Sequence, residues 1–179
     1  MLNFMKRYVR IVDAVNRTIG RITMYGIFVL MGLLMYSSIS KSFFTPSLWT
    51  LEMAQFAMAA YYMLGGAYSM QLDSHVRMDL LYGTRSQRGR AFIDTLTAVC
   101  LVVYLSFLLY GAFSSTGYAI QYSETSYSSW SPYMAPIKII MTFGIILMIL
   151  QTISIFFKDL AKVRGWDLQL KTDQPEEVT

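Results

Sequence analysis

The sequence is poor in the residues that usually build metal centres, disulfides and charged active sites. It has one cysteine and one histidine among 179 residues. A single cysteine excludes a disulfide within the chain and a multi-cysteine metal site, and a single histidine cannot supply both axial ligands of a haem. Charged residues make up 15% of the chain, whereas a typical soluble domain has about 25%. The chain is therefore unlike a soluble metalloprotein or a small disulfide-rich domain.

Apolar residues take the place of the missing charge. They make up 55% of the chain, and the mean hydropathy is +0.42, a composition typical of a membrane protein. The net charge of +4 comes without a long basic block or an RNA-binding signature, so it favours an anionic membrane surface over nucleic acid. Cys100 lies in the apolar run TAVCLVVYL, where we expect a buried, inert thiol.

Four stretches of 19 residues or more contain no charged residue. They cover 22–40, 53–72, 95–123 and 139–157. A helix of about 20 apolar residues crosses the roughly 30 Å hydrocarbon core of a bilayer. The pattern predicts an all-α integral membrane protein with four transmembrane helices, near 22–40, 51–71, 93–115 and 137–157. The third stretch is too long for one span, and its polar, aromatic end (GYAIQYSETSYSSWSPYMAP, 117–136) is placed outside the membrane.

The basic residues predict the orientation of these spans. Thirteen of the 15 Lys and Arg residues lie before the first span, between the second and third, or after the fourth. The other two are Lys41 and Lys138. Because cytoplasmic loops of membrane proteins carry the excess of Lys and Arg, both termini are predicted to be cytoplasmic.

Residues 1–21 have the pattern of an amphipathic helix. Apolar side chains from Tyr8 to Ile19 share one face, and basic residues with Asp13 occupy the opposite one. We interpret this segment as an interfacial helix and not as a cleavable signal peptide; a cytoplasmic helix packed on a partner is the alternative. The candidate contacts to phospholipid headgroups are Lys6, Arg10, Arg17 and Arg21, with Arg85 and Arg88 in the loop before the third span. Residues 22–165 form the predicted transmembrane domain, and 166–179 a polar cytoplasmic tail.

The stretch QLDSHVRMDLLYG, 71–83, concentrates chemically active side chains. His75 with Asp73 and Asp79 raises the possibility of a metal site or a proton relay. Nothing else in the chain completes a shell of nitrogen or sulfur ligands, and a relay would need these groups at membrane depth. We therefore interpret the stretch as a solvated cytoplasmic hairpin and predict no metal and no cofactor in this chain.

Three segments together resemble one protein family. SLWTLEMAQF (47–56), GGAYSMQLDSHVRMDLLY (65–82) and RGRAFID (88–94) strongly resemble the small, DctQ-type permease subunit of tripartite ATP-independent periplasmic (TRAP) transporters. SPYMAPIKIIMTFGIILMILQ (131–151) resembles the last span of that subunit. Met78 stands where valine is commoner in the family. The matching positions, which are candidates for partner contact or a structural motif, are Trp49, Glu52, His75, Arg77, Asp79 and Arg90.

The resemblance implies a role in transport without a substrate site. Such transporters import small organic acids with a sodium gradient across the bacterial inner membrane. A periplasmic protein captures the substrate, and a large elevator-type DctM subunit holds the substrate and sodium sites. The small subunit is a scaffold that clamps the static domain of the large one. This chain is accordingly expected to bind the large subunit and phospholipids, and its outer residues, including Glu124, are candidates for docking the binding protein.

The residues of the predicted spans are consistent with a scaffold role and leave one alternative function open. The predicted spans contain no internal acid or base, no paired charges that would mark an ion pathway and no helix broken by proline. The sequence offers no pair of nucleophile and base, and no set of metal ligands, that would indicate an enzyme. The alternative is a stand-alone four-span proton/drug antiporter acting as a homodimer, which would need a carboxylate deep in a span, whereas Glu52 lies at the end of one.

Overall fold

The described residues of the chain, in a computed structural model, are 2–43, 45, 47–72 and 87–163. Side chains within them are described from residue 5 to 72 and from 97 to 158. The described residues form four α-helices: α1 (Leu2–Phe43), α2 (Trp49–Gln71), α3 (Gln87–Gln121) and α4 (Ala135–Val163). The all-α class predicted from the sequence is confirmed for this part of the chain.

The first helix is longer than the sequence predicted. α1 is continuous over 42 residues, which corresponds to about 63 Å at 1.5 Å per residue, and the structure has no helix boundary at residue 21. No proline interrupts this region, and the hydroxyls of Thr18 and Thr23 donate back to the carbonyls four residues earlier, at 2.9 and 2.8 Å. The basic segment and the first span are thus one rod; its position in the membrane interface stays a prediction.

Three of the helices are long and apolar enough to cross a membrane. The candidate spans in the described residues are Met5–Phe43, Thr97–Gln121 and Ala135–Lys158. The 23-residue α2 is not among them, because Glu52, Gln55 and its tyrosines lower its hydropathy. The fourth crossing therefore stays a prediction, although α2 occupies nearly the predicted range.

The third helix also departs from the predicted span. α3 continues to Gln121, so the first part of the segment placed outside the membrane is helical. Cys100 is exposed, and the expectation of a buried thiol is wrong. The reason is that α3 packs closely only on α4 among the described elements, so most of its apolar surface faces away from the chain.

α2 and α4 form the centre of the bundle. α1 packs on α2 and, over a smaller area, on α4, while α3 covers another side of α4. Glycines allow helices to approach closely: a Cβ at Gly144 of α4 would lie 2.9 Å from the backbone carbonyl of Met63 in α2. Gly66 of α2 faces the sulfur of Met148, where the corresponding distance is 3.1 Å. Gly66 therefore serves packing inside the chain.

Large apolar side chains remain exposed along α1 and α3. Phe28 is 63% exposed, and Phe107 and Tyr110 are 75% and 79% exposed. Apolar surface on this scale is unstable in water. It requires lipid or a protein partner as its surroundings.

Candidate functional site: a polar cluster at one end of the bundle

A cluster of polar side chains joins three helices at the end of the bundle where α1 begins and α4 ends. Its members are Asp13 and Asn16 of α1, Gln71 of α2, and Gln151, Ser154 and Lys158 of α4. We call these six residues the polar cluster.

Asp13 is the central acceptor of the polar cluster. Its Oδ2 pairs with Nζ of Lys158 at 2.6 Å. Its Oδ1 accepts hydrogen bonds from Nε2 of Gln151 at 3.2 Å and from Oγ of Ser154 at 3.3 Å. The side chains of Asp13 and Lys158 are 22% and 28% exposed. The ion pair therefore lies at the edge of the buried region, where water screens the attraction between the two charges only in part.

Gln151 connects the exposed edge of the polar cluster to its buried part. Its side chain is fully buried, and Asn16 is 1% exposed. Asn16 donates through Nδ2 to Oε1 of Gln151 at 2.6 Å, so one amide links Asn16 to Asp13. Because a buried polar group without a partner is costly, this chain of bonds strongly favours one register between α1 and α4.

Three further contacts connect the helices in the same region. Gln71 donates through Nε2 to the backbone carbonyl of Asp13 at 3.2 Å, and the hydroxyl of Tyr8 donates to the carbonyl of Leu150 at 3.3 Å. The ring of Tyr8 also packs edge-on against Phe157, with 5.7 Å between ring centroids. Oδ1 of Asn16 and Oε1 of Gln71 have no hydrogen-bond partner among the described residues.

This arrangement is suited to holding helices together. The carboxylate that could act as a base already accepts three hydrogen bonds, one of them from a lysine. The charge pattern of α1 does not reveal the cluster, because it places Asp13 on an exposed polar face. A signal was present: Gln151, Ser154 and Lys158 recur at spacings of three and four along one face of α4, as Asp13 and Asn16 do on α1.

The opposite end of the α1–α2 pair carries the two candidate residues Trp49 and Glu52. The ring of Trp49 lies 5.8 Å from that of Tyr36. Glu52 is in the first turn of α2, where the free N–H groups of a helix favour a negative charge. Oε2 of Glu52 is buried and has no hydrogen-bond partner among the described residues. Thr50, which is fully buried, donates to the hydroxyl of Ser37 at 3.2 Å.

The other predicted site residues are only partly within the described chain. His75, Arg77, Asp79 and Arg85 lie outside the described residues. Arg88 and Arg90 lie at the start of α3, but their side chains are not among those that the structure describes. Of the motif residues, Trp49 and Glu52 are the two whose side chains the structure describes, and the roles of the whole set stay predictions.

The basic residues of α1 do face away from the bundle. Arg10, Arg17 and Arg21 are exposed and Lys6 is half-buried. The side of α1 that packs on the protein holds Val9, Val12 and Asn16. The apolar side chains Ile11 and Val15, predicted to face the membrane, are 53% and 43% exposed. Both the basic and the apolar side are thus available to other molecules.

A cleft of about 250 Å³ is lined by residues of α1 and α2. Its lining residues are uncharged: Gly20, Thr23, Met24, Tyr61, Gly65, Tyr68, Ser69 and Leu72. It narrows where Gly20 meets Tyr68, since a Cβ at that glycine would lie 2.3 Å from the tyrosine ring. No cation in this lining is available to bind an anionic solute.

Bundled apolar helices with exposed apolar faces define a multi-pass membrane protein. A family model described as "Tripartite ATP-independent periplasmic transporters, DctQ component" matches residues 30–162, which is well over half of the chain. The chain belongs to this family, a family of transporter components and not of enzymes. No match was found among curated proteins or among solved structures.

Proposed function

We propose that this chain is the small scaffold subunit of a sodium-coupled TRAP transporter that imports small organic acids. In this role it clamps the static domain of the large, elevator-type DctM subunit in the bacterial inner membrane, and both of its termini are cytoplasmic. Sodium and substrate bind to the large subunit. The single observation that carries the proposal is the DctQ family match over residues 30–162.

The internal bonding of the described residues supports a rigid, passive role. The polar cluster links α1, α2 and α4 through hydrogen bonds and an ion pair, and Gly144 brings α4 onto the backbone of α2. Coupled transport requires a site that is exposed alternately to each side. Helices fixed to each other at several levels are better suited to bracing a partner that moves.

The exposed surfaces support contacts with lipid and with partners. The basic side of α1 is suited to anionic headgroups, and Ile11 and Val15 beside it are suited to the acyl boundary. The uncovered apolar faces of α1 and α3 are suited to a membrane subunit or to acyl chains. The proposal also includes a part in docking the periplasmic substrate-binding protein.

Co-purification tests the proposal. An affinity-tagged form of this chain is co-expressed with a DctM-type large membrane subunit and is extracted in mild detergent. We expect a stable complex with one copy of each subunit, measured by native mass spectrometry. The tagged chain expressed with an unrelated large transporter serves as the control. Recovery of the tagged chain as a homodimer without the large subunit would contradict the proposal and favour the antiporter.

A further inference from the structure

The cleft lined by α1 and α2 offers mainly apolar contacts. Met24, Tyr61 and Leu72 contribute apolar surface to its lining. The hydroxyl of Thr23, which also lines it, already donates to the carbonyl of Ile19 at 2.8 Å. The buried side-chain atoms that have no hydrogen-bond partner among the described residues belong to other parts of the chain. The cleft therefore suits a ligand that fills apolar space and needs few hydrogen bonds.

The size of the cleft limits what can enter it. Its volume of about 250 Å³ is below the roughly 300–1,000 Å³ of sites for drug-sized molecules. An α-helix is about 10 Å across, so a helix of a partner subunit would cover the cleft without entering it. Gly65 leaves part of this space open, since a Cβ there would meet only the methyl group of Thr23, at 3.9 Å. A single acyl chain is slender and flexible enough to occupy it.

The exposed side of α1 beside the cleft changes from basic to apolar. Arg17, Arg21, Met24 and Phe28 follow one another at spacings of four, three and four, so they form one stripe along the helix. All four are exposed, and Met24 also lines the cleft. Arg21 is the last charged residue before the uncharged stretch 22–40, which places it where the hydrocarbon core begins. The stripe thus has the order of a phospholipid, with charge at the boundary and apolar groups beyond it.

We propose that this cleft binds one anionic phospholipid, with an acyl chain in the cleft and the phosphate held by Arg21. A guanidinium forms strong, directional hydrogen bonds with phosphate oxygens. The cation at the boundary, one turn from a narrow uncharged cleft, favours a lipid over a helix of the large subunit. The inference extends the headgroup contact in the proposed function, which includes no site for an acyl chain and does not require one.

The test measures lipid binding to the purified full chain in detergent by native mass spectrometry. Phosphatidylglycerol and phosphatidylcholine with identical acyl chains are titrated separately, and Kd for the first bound lipid is determined. Both headgroups contain the phosphate, but only phosphatidylglycerol has a net charge, so the two lipids separate the contribution of the headgroup from that of the chain. We expect the wild type to bind phosphatidylglycerol about fivefold more tightly, the effect of one basic residue near an anionic headgroup.

Arg21→Gln tests the headgroup contact. We expect it to raise Kd for phosphatidylglycerol about fivefold and to leave Kd for phosphatidylcholine nearly unchanged. Lys41→Gln, which removes an exposed cation from the other end of α1, is the matched control and should change neither Kd. Equal effects of the two substitutions would overturn the proposal, because the phosphate would then not be held by Arg21.

Gly65→Leu and Ser69→Leu test the cleft, because each puts a side chain into the space proposed for the acyl chain. We expect each to raise Kd for both lipids by about tenfold, the loss when roughly two methylene groups leave apolar surroundings. Gly32→Leu is the matched control, since nothing lies within 4 Å of a Cβ at this position of α1. The melting temperature identifies a variant that does not fold; the other cleft variant and Arg21→Gln then decide.

Co-purification with a DctM-type large subunit separates this inference from the proposed function. We expect both cleft variants to recover the large subunit as the wild type does. Wild-type Kd for both lipids in the cleft variants would overturn the lipid site and leave the scaffold role standing. Loss of the large subunit in these variants, with lipid binding unchanged, would assign the cleft to that subunit and also overturn the lipid site. Failure of the wild type to recover the large subunit would contradict the proposed function alone.

Discussion

Asp13 shows how one acid among basic residues can fix a helix. It stands between Arg10 and Arg17 on α1 and contacts Lys158, the residue that ends the last apolar stretch of the chain. Three donors converge on its carboxylate, and the buried Gln151 depends on it for one of its hydrogen bonds. Removing Asp13 leaves a lysine and a buried amide without their acceptor.

Asp13→Ala should lower the free energy of unfolding by about 1–3 kcal/mol, the cost of leaving such groups unpaired. The melting temperature in detergent, followed by intrinsic fluorescence, measures the effect. Arg10→Ala, which removes an exposed charge from the same helix, is the control and should change little. The exchanged pair Asp13→Lys with Lys158→Asp should recover part of the loss. Equal melting temperatures for Asp13→Ala and the control would show that the ion pair does not stabilise the fold.

Glu52 has a different status, because one of its oxygens is buried without a partner in the described chain. Glu52→Gln keeps the shape and removes the charge. We expect the stability of the isolated chain to change by no more than about 1 kcal/mol, since the lost interaction with the helix N-terminus is small. Recovery of the large subunit in the co-purification assay should fall if the carboxylate pairs with a cation of that subunit. Full recovery of the large subunit with Glu52→Gln would show that the Glu52 carboxylate does not contribute to the interface.

The contacts of single residues are the part of the structure that the sequence predicts least well. Asp13 and Lys158 are far apart in the sequence, and which faces of α1 and α4 meet depends on the order of the helices in the bundle. A charge pattern on one helix does not contain that information. The exposure of Cys100 could not be predicted for the same reason, since an apolar helix looks alike on all sides.

Among the elements, the pair α2 and α4 depends on close approach at glycine. A methyl group at Gly144 would meet the backbone of Met63 at 2.9 Å, whereas nothing lies within 4 Å of the corresponding position at Gly111 of α3. Backbone cannot move aside as a flexible side chain can. The two glycines are therefore a matched pair for testing the helix contact.

Gly144→Ala should destabilise the chain by about 1–3 kcal/mol through overpacking, and Gly111→Ala should not destabilise it. Thermal unfolding of both variants in the same detergent provides the comparison. If Gly144→Ala unfolds at the temperature of the wild type, the contact between α2 and α4 is looser than the 2.9 Å distance at Gly144 indicates.

The sequence predicted helices better than it predicted their ends. Stretches without charge place α2 closely, because a hydrocarbon core excludes charge over a fixed thickness. They do not place the start of α1 or the far ends of α3 and α4, since a helix continues wherever no residue breaks it. α1 therefore extends through its basic segment, and α3 continues to Gln121, into a segment read as polar and aromatic.

For the whole molecule, the distribution of basic residues predicts which side each loop occupies. Alkaline phosphatase fusions after Tyr82 and Lys171 should be inactive, because these sites are predicted to be cytoplasmic, and fusions near Ser47 and Ser128 should be active. The pair Ser47 and Tyr82 also tests whether α2 crosses the membrane. Activity at both of these sites would show that it does not.

The central claim is that this chain supports transport without performing it. The most direct measurement is uptake of radiolabelled dicarboxylates, sialic acid and sulfonates into proteoliposomes under an inward sodium gradient. We predict no uptake of any of these solutes with this chain alone. Uptake of one of them should appear when the large subunit and the substrate-binding protein are added. Sodium-driven uptake by the purified chain alone, at a rate comparable to that of the full system, would contradict the account.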